Sequence, residues 1–145
     1  MLAIGTRAPD FTLPDEGGTL RTLAELLAGG PLLLYFYPGD FTPICTREAC
    51  AFQEALPELR QDGVRVVGVS AQDAETHAAF RKAYGLEFTL LADTARVAIR
   101  AFDATGLFGL GTARVSYLIG QDGVIKDAVA ARFGVAPHLG LAKRA

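Results

Sequence analysis

The sequence predicts an α/β fold in three layers, a central mixed β-sheet flanked by helices. Three observations predict it. Two predominantly apolar runs, "PLLLYFYP" (31–38) and "VRVVGVS" (64–70), read as strands covered on both faces, because a strand with one wet face alternates apolar and polar residues. Segments with helical spacing separate these strands from each other and from a third, "FTLLAD" (88–93). The last two strands, "RVSYLIG" (114–120) and "VIKDAV" (124–129), are joined by the turn "QDG", so the order is βαβαβ followed by a closing hairpin.

Each element has a local reason. "DFTLPDEGGTLRTL" (10–23) holds two short strands around a Pro/Gly turn, an N-terminal β-hairpin extension. "LAELLAGG" is a short helix stopped by Gly29 and Gly30. From about Thr42 to Gln61, Cys45, Ala49, Phe52, Leu56 and Leu59 recur at three and four residues, one face of a helix that Pro57 should kink. "DAETHAAFRKAYG" is a helix with Asp73 as N-cap and Gly85 as stop. "TARVAIRAF" is a further short helix, followed by the Gly-rich loop "DATGLFGLGTA" (103–113). The tail "FGVAPHLGLAKRA" reads as a short last helix.

A chain of 145 residues with no linker, repeat or low-complexity tract reads as one domain, 1–145. Half its residues are apolar and 21% are charged, the balance of a globular protein. A formal charge of −2, with no Lys/Arg run, argues against nucleic acid or an anionic membrane as partner. No apolar run approaches the ~20 residues of a membrane helix, and "MLAIGTRAPDFTLP" lacks a signal-peptide pattern. A cytoplasmic location is expected, where a disulfide is more often a transient catalytic state than a staple.

Both cysteines, Cys45 and Cys50, lie in "PGDFTPICTREACAF" (38–52). Cys45 falls in the first turn of its helix, beyond the carboxyl end of a central strand, where ligands of open α/β sheets bind. Free amides and the helix dipole there favour a thiolate. The plainer reading makes it a small core residue beside Phe52 and Leu56, and position alone leaves the two readings balanced. Residues five apart in a helix have Cα atoms roughly 8–9 Å apart, whereas a disulfide needs about 7 Å or less. Either the pair never bonds, or the first turns must unwind. A metal site would need more ligands, and the two histidines are isolated: His77 reads as a surface or half-buried helix residue, and His138 lies in the tail.

The stretch "PGDFTPICTREAC" resembles the peroxiredoxins, specifically the PrxQ or bacterioferritin-comigratory-protein subfamily. The motif P-x-x-x-T-x-x-C reads here as Pro38, Thr42 and Cys45, and the second cysteine five residues on reads as Cys50. The resemblance continues through "APDFTLPDEGG", "VVGVSAQDAETHAAFRKAYGLEFTLLAD" and "ARVSYLIGQDGVI", nearly the whole chain. It implies a thioredoxin-like fold and a thiol-dependent peroxidase that uses no metal, haem or flavin. It further implies that Cys45 is oxidised by peroxide, that Cys50 resolves the product as an intramolecular disulfide, and that a thioredoxin-type dithiol recycles it. Arg114 occupies the position of the family's active-site arginine, and Glu48 that of the glutamate bracing it. A monomer or weak dimer is expected by the same analogy.

Residue chemistry agrees: a Thr42 hydroxyl can orient a peroxide, Arg114 can hold a thiolate, and Pro38 can shield the sulfur. The plainer readings are that Thr42 only caps the helix, Pro38 only ends a strand, and Glu48 with Arg114 is a surface ion pair. The loop 103–113 is shorter than in many such chains. Its Leu107, Phe108 and Leu110 are free to line a pocket, contact a protein or cover the core. A general thiol–disulfide oxidoreductase and a redox-sensing interaction module are the alternative functions.

Overall fold

The computed structural model describes residues 1–131 and 136–143. The part of the predicted tail that falls at 133–135 and 144–145 lies outside the described residues. In chain order the strands are β1 (Thr12–Pro14), β2 (Leu20–Thr22), β3 (Leu32–Phe36), β4 (Arg65–Ser70), β5 (Thr89–Ala92), β6 (Val115–Ile119) and β7 (Ile125–Ala130). The helices are α1 (Leu23–Leu27), α2 (Pro43–Gln61), α3 (Ala74–Tyr84), α4 (Val97–Ala101) and α5 (Ala136–Lys143). The first two strands form the expected antiparallel hairpin, with Leu13 opposite Arg21.

The other five make one mixed sheet in the order β5-β4-β3-β6-β7. Strand β3 is central: it runs parallel to β4, pairing Tyr35 with Gly68, and antiparallel to β6, pairing Tyr35 with Ser116. All five of its residues are buried, which explains its unbroken apolar sequence. Successive side chains feed opposite layers. Leu32, Leu34 and Phe36 join the core beneath α1 and α4, whereas Leu33, Tyr35 and Tyr37 join the core shared with α2, α3 and α5.

Helix termini follow the local chemistry. Asp73 caps α3, its Oδ1 accepting from the Thr76 amide at 2.8 Å, and Gly85 ends it at φ 61°, where a Cβ would be strained. The α2 helix buries Cys45, Ala49, Phe52, Leu56 and Leu59, the face read from spacing, and also Glu48. It continues through Pro57 as one element. Helix α4 begins later than "TARVAIRAF" suggests, at Val97, because Arg96 takes a left-handed conformation and Asp93 accepts from the amides of Val97 and Ile99. No helix among the described residues is long and apolar enough to cross a membrane.

Candidate active site

Thr42 is the N-cap residue of α2 and Pro43 begins the helix, where a missing N–H costs nothing. Cys45 therefore stands in the first turn, beside the first intrahelical bond, Thr46 N–H to Thr42 C=O at 2.8 Å. Its side chain is 1% exposed. Thr42 does not cap through its side chain. Its hydroxyl instead donates to the Gly39 carbonyl at 2.9 Å, closing the loop that follows β3.

Arg114, immediately before β6, reaches both partners of the proposed site. One guanidinium nitrogen, Nη1, donates to Glu48 Oε1 at 2.9 Å, and the other, Nη2, to Cys45 Sγ at 3.3 Å. Glu48 is fully buried and Arg114 is 7% exposed, so this is not the surface ion pair of the plainer reading. A planar fork suits the task, because it fixes two directions at once where a lysine would supply a point charge. Burial pushes the Glu48 carboxyl up to about 7, although the charge and hydrogen bond of Arg114 oppose that rise. Cys50 is half-buried further along α2, and both thiols are free.

Pro38 and Arg114 line a cavity of about 800 Å³ together with Leu107, Phe108 and Leu110. These three apolar residues lie at its rim and stand open to solvent, Phe108 at 96% exposure. Of the alternatives left by the sequence, exposure excludes covering the core, and these residues line the pocket.

The loop after β3 is held by contacts that the sequence reading did not identify. Asp40 is buried, accepts from the Tyr37 hydroxyl at 2.6 Å and lies 2.5 Å from His77 Nδ1. Its backbone N–H donates to the Gln72 side chain. His77 Nε2 lies 3.0 Å from the Leu91 carbonyl oxygen. His77 is thus completely buried, not the surface or half-buried residue expected. The reason is its place three residues before buried Phe80, on the face of α3 that meets the sheet. That spacing was the available clue. Next to Asp40, Phe41 adopts φ 65°, uncommon for a bulky residue, with its ring 5.1 Å from Phe80. Among the described residues no three His, Cys, Asp or Glu side chains converge to hold a metal.

A mixed sheet in this order, with a thiol in the first turn of the helix after its central strand and a guanidinium against the sulfur, defines a thioredoxin-like protein with an arginine-braced thiol. The sequence profile of the AhpC/TSA family matches residues 4–128, and the chain belongs to that family, the peroxiredoxins. A peroxiredoxin Q, chloroplastic, of Oryza sativa subsp. japonica is 36% identical over 137 residues, 94% of this chain. The chain spans 63% of the length of that relative. Peroxidoxin BcpB of Mycobacterium tuberculosis superposes with a TM-score of 0.91 at 32% identity, covering 98% of this chain and 94% of its own. The bacterioferritin comigratory protein of Xanthomonas campestris, described for its alkyl peroxide reduction activity, gives a TM-score of 0.83 at 33% identity, covering 92% and 90%.

Proposed function

We propose that the chain is a thiol peroxidase that reduces hydrogen peroxide and organic hydroperoxides at Cys45. The observation that carries this reading is the Arg114 fork, one arm on Cys45 Sγ and the other on buried Glu48, in the wall of a cavity that Pro38 also lines. The guanidinium stabilises the thiolate and the charge that develops on the leaving oxygen. The thiolate attacks the peroxide oxygen that carries hydrogen. An S–O bond forms and the O–O bond breaks, the leaving oxygen takes a proton to become water or an alcohol, and sulfur is oxidised to sulfenic acid. Thr42 orients the peroxide, since its oxygen retains lone pairs after donating to Gly39.

Cys50 then attacks the sulfenic sulfur as thiolate, forming the disulfide and expelling hydroxide, which leaves as water. Helix geometry requires the first turns of α2 to unwind for this, which frees Cys45 and Glu48 together from Arg114. A thioredoxin-type dithiol supplies the two electrons that restore both thiols, in the cytoplasm, on a monomer or weak dimer. Stopped-flow peroxide consumption by the reduced protein tests the reading. Cys45→Ser should abolish it, and Cys50→Ser should leave one stoichiometric turnover without recycling. Full turnover by Cys45→Ser would end the proposal.

A further inference from the structure

Three buried polar side chains meet beyond the Arg114–Glu48 pair, each from a different element. Glu48 comes from α2, Ser116 from β6 and His138 from α5, and all three are fully buried. His138 Nε2 lies 3.1 Å from the Ala131 carbonyl oxygen, which can only accept, so this nitrogen carries a hydrogen. In a neutral ring Nδ1 then offers a lone pair, and the Ser116 hydroxyl 2.6 Å away donates to it. The same Nδ1 lies 3.9 Å from Glu48 Oε2, the carboxyl oxygen that Arg114 Nη1 does not hold. Among the described residues that oxygen has no hydrogen-bond partner, an unusual condition for a buried polar atom.

We infer that His138 is a positioning residue for the reaction at Cys45: its Nδ1 edge, steadied by Ser116, faces the free oxygen of Glu48 and governs how that carboxyl and Cys45 share Arg114. The inference rests on the peroxidase reading, in which Cys45 holds the reacting sulfur. With its lone pair engaged by Ser116, Nδ1 still presents partial negative charge 3.9 Å from Glu48 Oε2, which favours the protonated carboxyl over the carboxylate. While Glu48 stays protonated, the charge of Arg114 is not cancelled and remains available to the sulfur 3.3 Å away. Burial acts in the same sense, raising Glu48 to about 7 and lowering His138, whose protonation the Arg114 charge also opposes. Among the described residues, the other titratable groups around Glu48 are Cys45 on its own helix and the Tyr35 hydroxyl of β3. Burial first, and the Glu48 charge next, hold Tyr35 well above the usual tyrosine range.

The test uses the reduced protein carrying Cys50→Ser, so that Cys45 is the one thiol. Thiolate absorbance and the stopped-flow rate with hydrogen peroxide are measured against pH. His138→Gln keeps a donor where Nε2 was and removes the Nδ1 edge; His138→Asn keeps an acceptor near Nδ1. The Gln variant should react about tenfold more slowly at neutral pH, with its inflection near 7 moved to lower pH, while the Asn variant stays within about threefold of the parent. In a Glu48→Gln background the His138→Gln change should leave the pH profile unmoved. A parent-like rate and profile in His138→Gln would overturn the inference. Equal losses in both variants with the inflection in place would do so too, reducing the ring to a wedge under α5. Failure of the peroxidase reading looks different: the parent would not consume peroxide, yet the thiolate titration would still report on His138.

Discussion

Replacing Glu48 by Gln isolates the energetics of the buried carboxyl. The amide has nearly the same volume, and its oxygen can still accept from Arg114 Nη1, which lies 2.9 Å from Glu48 Oε1. What disappears is titration. Burial moves this carboxyl from an ordinary 4.5 to about 7, so the folded protein binds its proton more tightly than the unfolded chain does. The stabilisation is complete below pH 4.5 and is lost as pH rises through 7. At about 1.4 kcal/mol for each tenfold in proton affinity, the difference amounts to roughly 3 kcal/mol. Urea unfolding of reduced Cys50→Ser protein, with and without Glu48→Gln, should be followed at a series of pH values. The stability of the Glu48 protein, measured relative to its Glu48→Gln variant, should fall by that amount across the window and level off above it. A flat difference would refute the burial argument. A difference that rises with pH would show that Arg114 holds the carboxylate ionised. The same proton is released when α2 unwinds, so rising pH across this window should also favour closure of the Cys45–Cys50 disulfide.

Three further outcomes are expected. Arg114→Lys should lower the second-order rate of peroxide reduction by a factor of about 100, because one ammonium cannot reach Glu48 and Cys45 with fixed geometry; stopped-flow kinetics reads this directly. Phe108→Ser combined with Leu110→Ser removes the apolar cavity rim. KM for a bulky hydroperoxide such as cumene hydroperoxide should rise severalfold, while the rate with hydrogen peroxide changes by less than about twofold. Asp40→Ala takes one partner from two buried groups, the Tyr37 hydroxyl and the His77 ring, and should cost roughly 2–5 kcal/mol in denaturant unfolding.

Much of this architecture was legible because it is local. Unbroken apolar residues in β3 mark a strand buried on both faces, and the recurrence of Cys45, Ala49, Phe52, Leu56 and Leu59 marks the inner face of α2. Asp73 and Gly85 bound α3 through contacts within one turn. The candidate site was legible for another reason: the resemblance carries a spaced motif onto Pro38, Thr42 and Cys45, and adds Cys50, Glu48 and Arg114 by position. The buried polar contacts were not. Asp40 meets His77 across 37 residues, and Ser116 meets His138 across 22, and no periodicity within one element encodes such meetings. Of the two readings of Thr42, capping through the hydroxyl is the one the structure removes: the residue sits at the N-cap position, but the backward turn to Gly39 offers its hydroxyl a carbonyl.

Pro57 gives α2 two unequal halves in the time domain. A proline supplies no amide, so the carbonyl of Gln53 loses its intrahelical donor, and the ladder is interrupted two turns beyond Cys50. Past that gap, Leu59 remains anchored in the core and Asp62 closes the helix on the Glu58 carbonyl. Opening that begins at Cys45 therefore meets a natural boundary before the end of the helix. The segment up to Gln53 can exchange its amides as one cooperative unit while the last turns stay protected. Such a boundary would confine the excursion that the proposed disulfide closure requires and leave the sheet with a fixed edge of helix on which to refold.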